Sequence, residues 1–103
     1  MLILKDTDQK KLKISWDKDK KVLSFEIDSL ISLIEDEGLL DLENIVNKVE
    51  SVMTYEDFGG TRTTLEVDDF LYIEIDGSNE TGLYETFSFD HEEAEKFMDF
   101  ICK

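Results

Sequence analysis

Residues 64–76 read TLEVDDFLYIEID, a stretch in which apolar and polar side chains alternate. Such alternation is typical of β-strands with one buried and one solvent-facing side. The acidic pair at positions 68 and 69 interrupts the pattern, and we interpret it as a turn between two strands in preference to a kink within one long strand. The presumed inward side chains share one parity: Leu65, Val67, Leu71, Ile73 and Ile75.

The opposite parity of this stretch combines carboxylates with aromatic rings. It contains Glu66, Asp68, Phe70, Tyr72, Glu74 and Asp76, and the following strand, expected over Leu83–Phe89, adds Tyr84. Residues 76–79 read DGSN and predict the turn before that strand, because Gly and Asn tolerate positive φ. This parity forms either an exposed acidic and aromatic surface or, as the competing interpretation, a second small core beneath helices.

Alternation also marks the beginning of the chain. Lys11–Asp17 places Leu12, Ile14 and Trp16 on one side, and the pattern resumes at Leu23, Phe25 and Ile27 after a polar turn. These residues predict a β-hairpin, with a short leading strand over Leu2–Leu4.

The central part favours helices. Asp28 or Ser29 can cap a short helix carrying Leu30, Ile31, Leu33 and Ile34, which Gly38 would end. Asp41 can cap a second helix, whose apolar residues recur at helical spacing from Leu42 to Val52 or Met53. Residues 58–60, which read FGG, end this helical region and begin the β-rich part.

A further helix begins near the carboxyl end of the sequence. Asp90 can cap it, and Glu93 stands three residues later, as in a capping box. Glu92, Glu93 and Glu95 lie where the helix dipole favours negative charge. The order β-β-α-α-β-β-β-α predicts a single α+β domain over residues 1–103. In it, two to three helices pack on one face of a mostly antiparallel sheet of about five strands.

Charge is the outstanding feature of the composition. The chain has 26 acidic and 11 basic residues, a net charge of −15. The distribution is uneven, because residues 1–27 have a net charge of +2 and residues 28–103 a net charge of −17. We therefore expect neither nucleic acid nor membrane as a direct partner, since both require a basic surface. The acidity serves either solubility alone or recognition of a basic partner.

Residue types that carry catalysis or bind metals are scarce. The chain has one histidine, His91, at the expected helix start, and one cysteine, Cys102, in acidic surroundings. We expect no catalytic residue, no cofactor and no metal site, and a carboxylate-only hydrolase is the least favoured function. Residues 17–22 match an EF-hand loop only at the first and third ligand positions. Without an apolar span or a secretion signal, we expect a cytoplasmic location.

These observations favour a small acidic, non-enzymatic protein that binds and inhibits a partner through the partner's basic, nucleic-acid-binding surface. Phage-encoded DNA mimics and anti-CRISPR inhibitors work by the same physical principle. The comparison is an analogy, because no motif of this sequence matches theirs. The alternatives are an immunity protein that neutralises a toxin nuclease and an acidic adaptor subunit, and a homodimer is possible. The residues expected to contact the partner are Glu66, Asp68, Phe70, Tyr72, Glu74, Asp76, Tyr84, Glu92, Glu93 and Glu95.

Overall fold

A computed structural model describes residues 1–27, 30–77 and 82–102. Within these residues the chain forms eight β-strands and two α-helices. The first group is β1 (Leu2–Lys5), β2 (Lys11–Asp17), β3 (Val22–Ile27), β4 (Leu30–Ile34) and α1 (Gly38–Val46). The second group is β5 (Val52–Glu56), β6 (Arg62–Val67), β7 (Leu71–Gly77), β8 (Leu83–Phe89) and α2 (His91–Ile101).

The strands form two four-stranded antiparallel sheets, in which each strand pairs with its neighbours in sequence. We call them the β1–β4 sheet and the β5–β8 sheet. Each is followed by one helix, so the order of four strands and a helix occurs twice. The predicted α+β class and the antiparallel pairing are confirmed. The prediction of one sheet of about five strands with two to three helices differs from this arrangement.

The predicted first helix is wrong, because residues 30–34 form strand β4. Leu30, Ser32 and Ile34 are buried and Ile31 is exposed, which is the two-residue period of a strand. The run of Leu and Ile fits a helical face equally well when read locally. The inward-facing polar residue Ser32 concealed the alternation, and its hydroxyl is hydrogen-bonded to that of Thr63 in the other sheet.

Helix α1 differs from the predicted second helix at both ends. It begins at Gly38, so Asp41 lies in its first turn and does not cap it. It ends at Val46, and the amide of Val49 donates to the carbonyl of Asn44 at 2.9 Å as the chain leaves the helix. Val52 and Met53, the alternative last residues of the predicted helix, both lie on β5, where Met53 points into the core and pairs with Leu65. The β-rich part therefore begins before residues 58–60.

The remaining predicted elements are confirmed. The β2–β3 hairpin and the leading strand pair as expected, and residues 68–70 form a turn between β6 and β7. The Asp90 carboxylate caps α2 by accepting from the amide of Glu93 at 3.0 Å. Glu93 does not complete a capping box, because its carboxylate accepts from the amide of Lys5 at 3.2 Å. Ser78 and Asn79 of the predicted turn lie outside the described residues.

One hydrophobic core lies between the inner faces of the two sheets and the two helices. The Phe25 ring on β3 and the Phe97 ring on α2 are 6.5 Å apart, and Phe87 stacks on Phe89 at 6.1 Å. These rings are buried, and burying one Phe side chain stabilises the fold by about 1.5–3 kcal/mol. With both helices engaged on the inner side, the outer faces of the sheets are left to the solvent.

The two sheets are also joined by polar contacts on opposite sides of the molecule. On one side, the buried Asp57 carboxylate accepts from the amide of Leu33, at the β4 edge, and from the amide of Thr61. On the other side, the β1–β2 turn covers the edge of β8, where the Lys10 ammonium donates to the Thr86 carbonyl and lies 4.8 Å above the Phe87 ring. These contacts fix the two sheets relative to each other, and with them the positions of their outer faces.

Candidate functional site

The outer surface of the β5–β8 sheet carries five of the ten residues that the sequence singled out. Its side chains are exposed or half-buried, whereas the residues of opposite parity on β6 and β7 are mostly buried. The strand register places Glu66 beside Tyr72, Thr64 beside Glu74, and Arg62 beside Asp76. We call this surface the acidic face, and define it by Glu56, Arg62, Glu66, Tyr72, Glu74, Asp76 and Tyr84.

Tyr84 and Glu74 form a fixed pair on the acidic face. The Tyr84 hydroxyl donates to the Glu74 Oε1 at 2.8 Å. This hydrogen bond is the main reason that the pKa of Tyr84 is raised above its ordinary value, with desolvation and the nearby acidic groups adding to it. The hydroxyl therefore remains a protonated donor at neutral pH. The ring is 54% exposed, so it offers an aromatic surface at a defined position beside a carboxylate.

Arg62 is the only basic residue between Val49 and Glu95, and it lies on the acidic face. Its guanidinium pairs with the Asp76 carboxylate at 3.2 Å. Glu66 takes part in none of the ion pairs formed among the described residues, and neither does Glu74. Arg62 thus offsets the charge at one end of the face and leaves the end near Glu66 more negative.

Asp68 and Phe70 lie in the β6–β7 turn at that more negative end, and not on a strand. The Asp68 carboxylate accepts from the amide of Phe70 at 3.1 Å, which shapes the turn. The Phe70 ring is 61% exposed. The competing prediction of a second core containing Phe70 and Tyr72 is therefore wrong for Phe70, and Tyr72 is half-buried on the outer surface.

The three predicted glutamates of α2 differ in their surroundings. Glu92 is exposed, and Glu95 is exposed with its carboxylate 3.0 Å from the His91 Nε2. Glu93 is engaged internally, because it also pairs with Lys96 at 2.7 Å. The His91 Nδ1 donates to the Asp69 carbonyl at 3.1 Å, which ties the start of α2 to the β6–β7 turn. The turn that carries Asp68 and Phe70 therefore lies against the start of α2, whereas Asp76 and Tyr84 lie at the far end of β7 and β8.

One exposed feature was missed by the sequence reasoning, and another was implied by it without being given a role. Phe58 lies in the β5–β6 turn and is fully exposed, and the signal for it was an aromatic residue directly before Gly59 and Gly60. Lys5, Lys11 and Lys13 share the outer face of the β1–β4 sheet, where Lys5 pairs directly with Lys11 across the strands. The alternation of β2 already implied this lysine-bearing side. The two outer faces therefore differ in the sign of their charge.

Groups of three or more His, Cys, Asp or Glu side chains able to hold a metal ion do not occur among residues 1–27, 30–77 and 82–102. In the same ranges, neither α1 nor α2 is long and apolar enough to cross a membrane. Comparison of the chain with protein-family models, with curated proteins and with solved structures gave no match.

Proposed function

We propose that this protein binds and inhibits a protein partner by covering the partner's basic, nucleic-acid-binding surface with the acidic face. The observation that carries the proposal is the open outer surface of the β5–β8 sheet, where Glu66 stands beside the half-buried Tyr72 and Glu74 beside the exposed Tyr84. An uncovered surface of this composition costs self-repulsion, which a basic partner relieves.

The spacing of Glu74 and Asp76, which are two residues apart on β7, supports the proposal. Residues two apart on a strand are separated by about 6.6–6.8 Å, since each residue adds about 3.3–3.4 Å. Phosphates of one DNA strand are spaced on a similar scale, at about one per 3.4 Å of helix axis. Tyr72 and Tyr84 supply the aromatic contacts that often dominate the energy of protein interfaces. The Tyr84–Glu74 hydrogen bond holds two of these groups in place before binding.

The test begins with an affinity pull-down from the native host and identification of the captured protein by mass spectrometry. The affinity of the purified pair is then measured at 50 mM and 500 mM salt for the native chain and for the double variant Glu66→Lys, Glu74→Lys. We expect high salt to weaken the native complex, and the double variant to weaken it about tenfold or more at low salt.

The matched control is the double variant Asp19→Lys, Glu26→Lys. It changes the net charge by the same amount at exposed positions in the other half of the chain, on the β2–β3 turn and on β3. Equal weakening by both double variants would mean that net charge alone matters, which would refute a role for the acidic face. Salt-independent affinity would refute the electrostatic mechanism. Capture of a toxin nuclease would instead identify the protein as an immunity protein.

A further inference from the structure

A groove runs between the end of α1, the β6–β7 turn and the outer side of α2, and we call it the α1–α2 groove. Its floor is apolar and comes from three elements: Ile45 of α1, Val67 of β6, and Ala94 and Met98 of α2. Ile45 is only 2% exposed and Ala94 4%, so the floor is continuous with the core.

Two apolar side chains border the groove without being covered themselves. Val49, just after α1, is 68% exposed, and Phe70 in the β6–β7 turn is 61% exposed. Together with the half-buried Val67 and Met98 they form a short apolar strip in a lining that is about half polar. The groove therefore has a recessed apolar floor that an apolar side chain of a ligand can contact, whereas the acidic face has none.

The rim of the groove is acidic. Five carboxylates line it, against one lysine, Lys48, and the imidazole of His91, which is already engaged with Asp69 and Glu95. The carboxylates are those of Glu50, Asp68, Asp69, Glu95 and Asp99. A ligand that places apolar groups on the floor must therefore present positive charge at its edges.

The open shape of the groove, more than its volume, favours a peptide segment over a small molecule. Its volume is about 1030 Å³ and it opens broadly to solvent. Pockets for small molecules occupy about 300–1000 Å³ and enclose most of the ligand. An amphipathic helix laid into a surface groove uses an apolar stripe for the floor and leaves its charged flanks at the rim.

We propose that the α1–α2 groove binds an amphipathic segment of a protein partner, with apolar side chains on one face and Lys or Arg on its flanks. Asp68 and Phe70 belong to the turn that borders both the groove and the acidic face. A partner can therefore occupy both surfaces at once. Binding at the groove does not require that the partner handle nucleic acid.

The probe is a fluorescein-labelled peptide of about 14 residues composed of Leu and Lys, with Leu at i, i+3, i+4 and i+7 so that it forms an amphipathic helix. A peptide of identical composition with the Leu positions scrambled serves as the second probe. Binding to the full chain is followed by fluorescence anisotropy at 150 mM salt. We expect saturable binding of the patterned peptide and at least about tenfold weaker binding of the scrambled one.

The diagnostic variant is Phe70→Ala, and the control is Phe58→Ala, which removes a fully exposed aromatic ring from the β5–β6 turn. Phe70→Ala should weaken binding about tenfold, and Phe58→Ala should leave it unchanged. Circular dichroism checks that both variants are folded. Asp99→Lys should weaken binding further, since it adds positive charge to the rim.

Equal binding of the two peptides would overturn the proposal, because attraction by net charge would then be sufficient. Absence of saturable binding would overturn it as well. It would also be overturned if Phe70→Ala had no effect. Loss of binding in Glu66→Lys, Glu74→Lys but not in Phe70→Ala would assign the peptide to the acidic face instead. Failure of the acidic-face experiment leaves these results unaffected, so the two proposals are tested separately.

Discussion

At the scale of single residues, Asp57 is the clearest case of a charged group used for structure. Its side chain is buried, and its two carboxylate oxygens accept from the amides of Leu33 and Thr61 at 3.1 and 3.0 Å. One bond closes the β5–β6 turn, and the other reaches the β4 edge of the neighbouring sheet. A backbone amide at a sheet edge has no other strand to bond, so the carboxylate replaces the missing partner.

Replacing Asp57 by Ala should therefore be costly. Hydrogen bonds to charged groups contribute about 1.5–3 kcal/mol each, and the variant would leave a partly buried amide without an acceptor. We expect the free energy of unfolding to fall by about 3 kcal/mol, as measured by urea denaturation followed by circular dichroism.

Asp57→Asn, which keeps one carbonyl oxygen, should lose less than Asp57→Ala. Asp19→Ala is the control at an exposed turn position and should change the stability by less than about 0.5 kcal/mol. If Asp57→Ala were as stable as this control, the carboxylate would not hold the two sheets together.

At the scale of elements, the junction of β4, α1 and β5 depends on Gly38. This residue begins α1 where the Tyr55 ring of β5 and Ile34 of β4 approach the backbone closely. A Cβ at position 38 would lie 2.7 Å from the Tyr55 Cδ1, 2.8 Å from its Cγ and 3.0 Å from the Ile34 Cγ2. The absence of a side chain thus lets the helix pack against both strands, which is the opposite of the helix-ending role expected from the sequence.

Gly38→Ala tests this packing. Alanine favours a helix over glycine by about 1 kcal/mol, but contacts this short force the Tyr55 ring or the helix to move, at about 1–3 kcal/mol. The first atoms of an aromatic ring cannot swing away without displacing the whole side chain, so we expect a net destabilisation of about 1 kcal/mol in urea denaturation. In a Tyr55→Ala background, the same change should be neutral or stabilising. A stabilising effect in both backgrounds would show that the contact is easily relieved.

At the scale of the whole molecule, charge is separated between the two sheets. Lysines occupy the outer face of the β1–β4 sheet, and carboxylates dominate the acidic face, the α1–α2 groove and the start of α2. Lys10 links the two regions, because its ammonium lies 3.3 Å from the Glu85 carboxylate on β8 and 3.7 Å from that of Asp6. A net charge of −15 is nonetheless left on a molecule with a radius of gyration of 12.5 Å.

Self-repulsion of this size should make stability depend on salt. Screening lengths fall from about 30 Å at 0.01 M to about 8 Å at 0.15 M ionic strength, so added NaCl should stabilise the folded chain. We expect a gain of about 1 kcal/mol, which corresponds to a rise in Tm of about 4–8 °C for a domain of this size.

The measurement is thermal unfolding by circular dichroism at 0.01 and 0.15 M NaCl. The triple variant Glu43→Gln, Glu56→Gln, Glu66→Gln, which removes exposed charges, should gain less from salt than the native chain. A Tm that fell with salt would show that attractive ion pairs outweigh the repulsion.

Much of the local structure could be predicted because its causes are local. The cap at Asp90 depends on a side chain and an amide three residues apart, and the β2–β3 hairpin depends on alternation around a polar turn. The outward positions of Glu66, Tyr72 and Glu74 follow from the same two-residue period. Strand β4 was missed because a short apolar run with Ser32 at an inward position fits a helix as well as a strand.

The placement of the predicted contact residues relative to one another depends on contacts that the sequence does not show. Parity places Glu66 and Tyr72 on the outer face, but the β6–β7 turn brings them next to α2 through the contact of His91 with Asp69. Glu93 resembled its neighbours Glu92 and Glu95 in the sequence. Its internal use became visible only when the start of α2 met the amide of Lys5 on β1.

The sequence by itself determined the charge, its uneven distribution, the α+β class and the alternation that puts carboxylates opposite the core. These properties follow from composition and from neighbours a few residues apart. Only the tertiary structure decided that the strands divide into two sheets, that both helices pack on the inner side, and that the acidic face and the α1–α2 groove meet at one turn. Strand pairing and helix packing join residues far apart in the chain, and a local pattern cannot choose among the partners that the whole fold makes available.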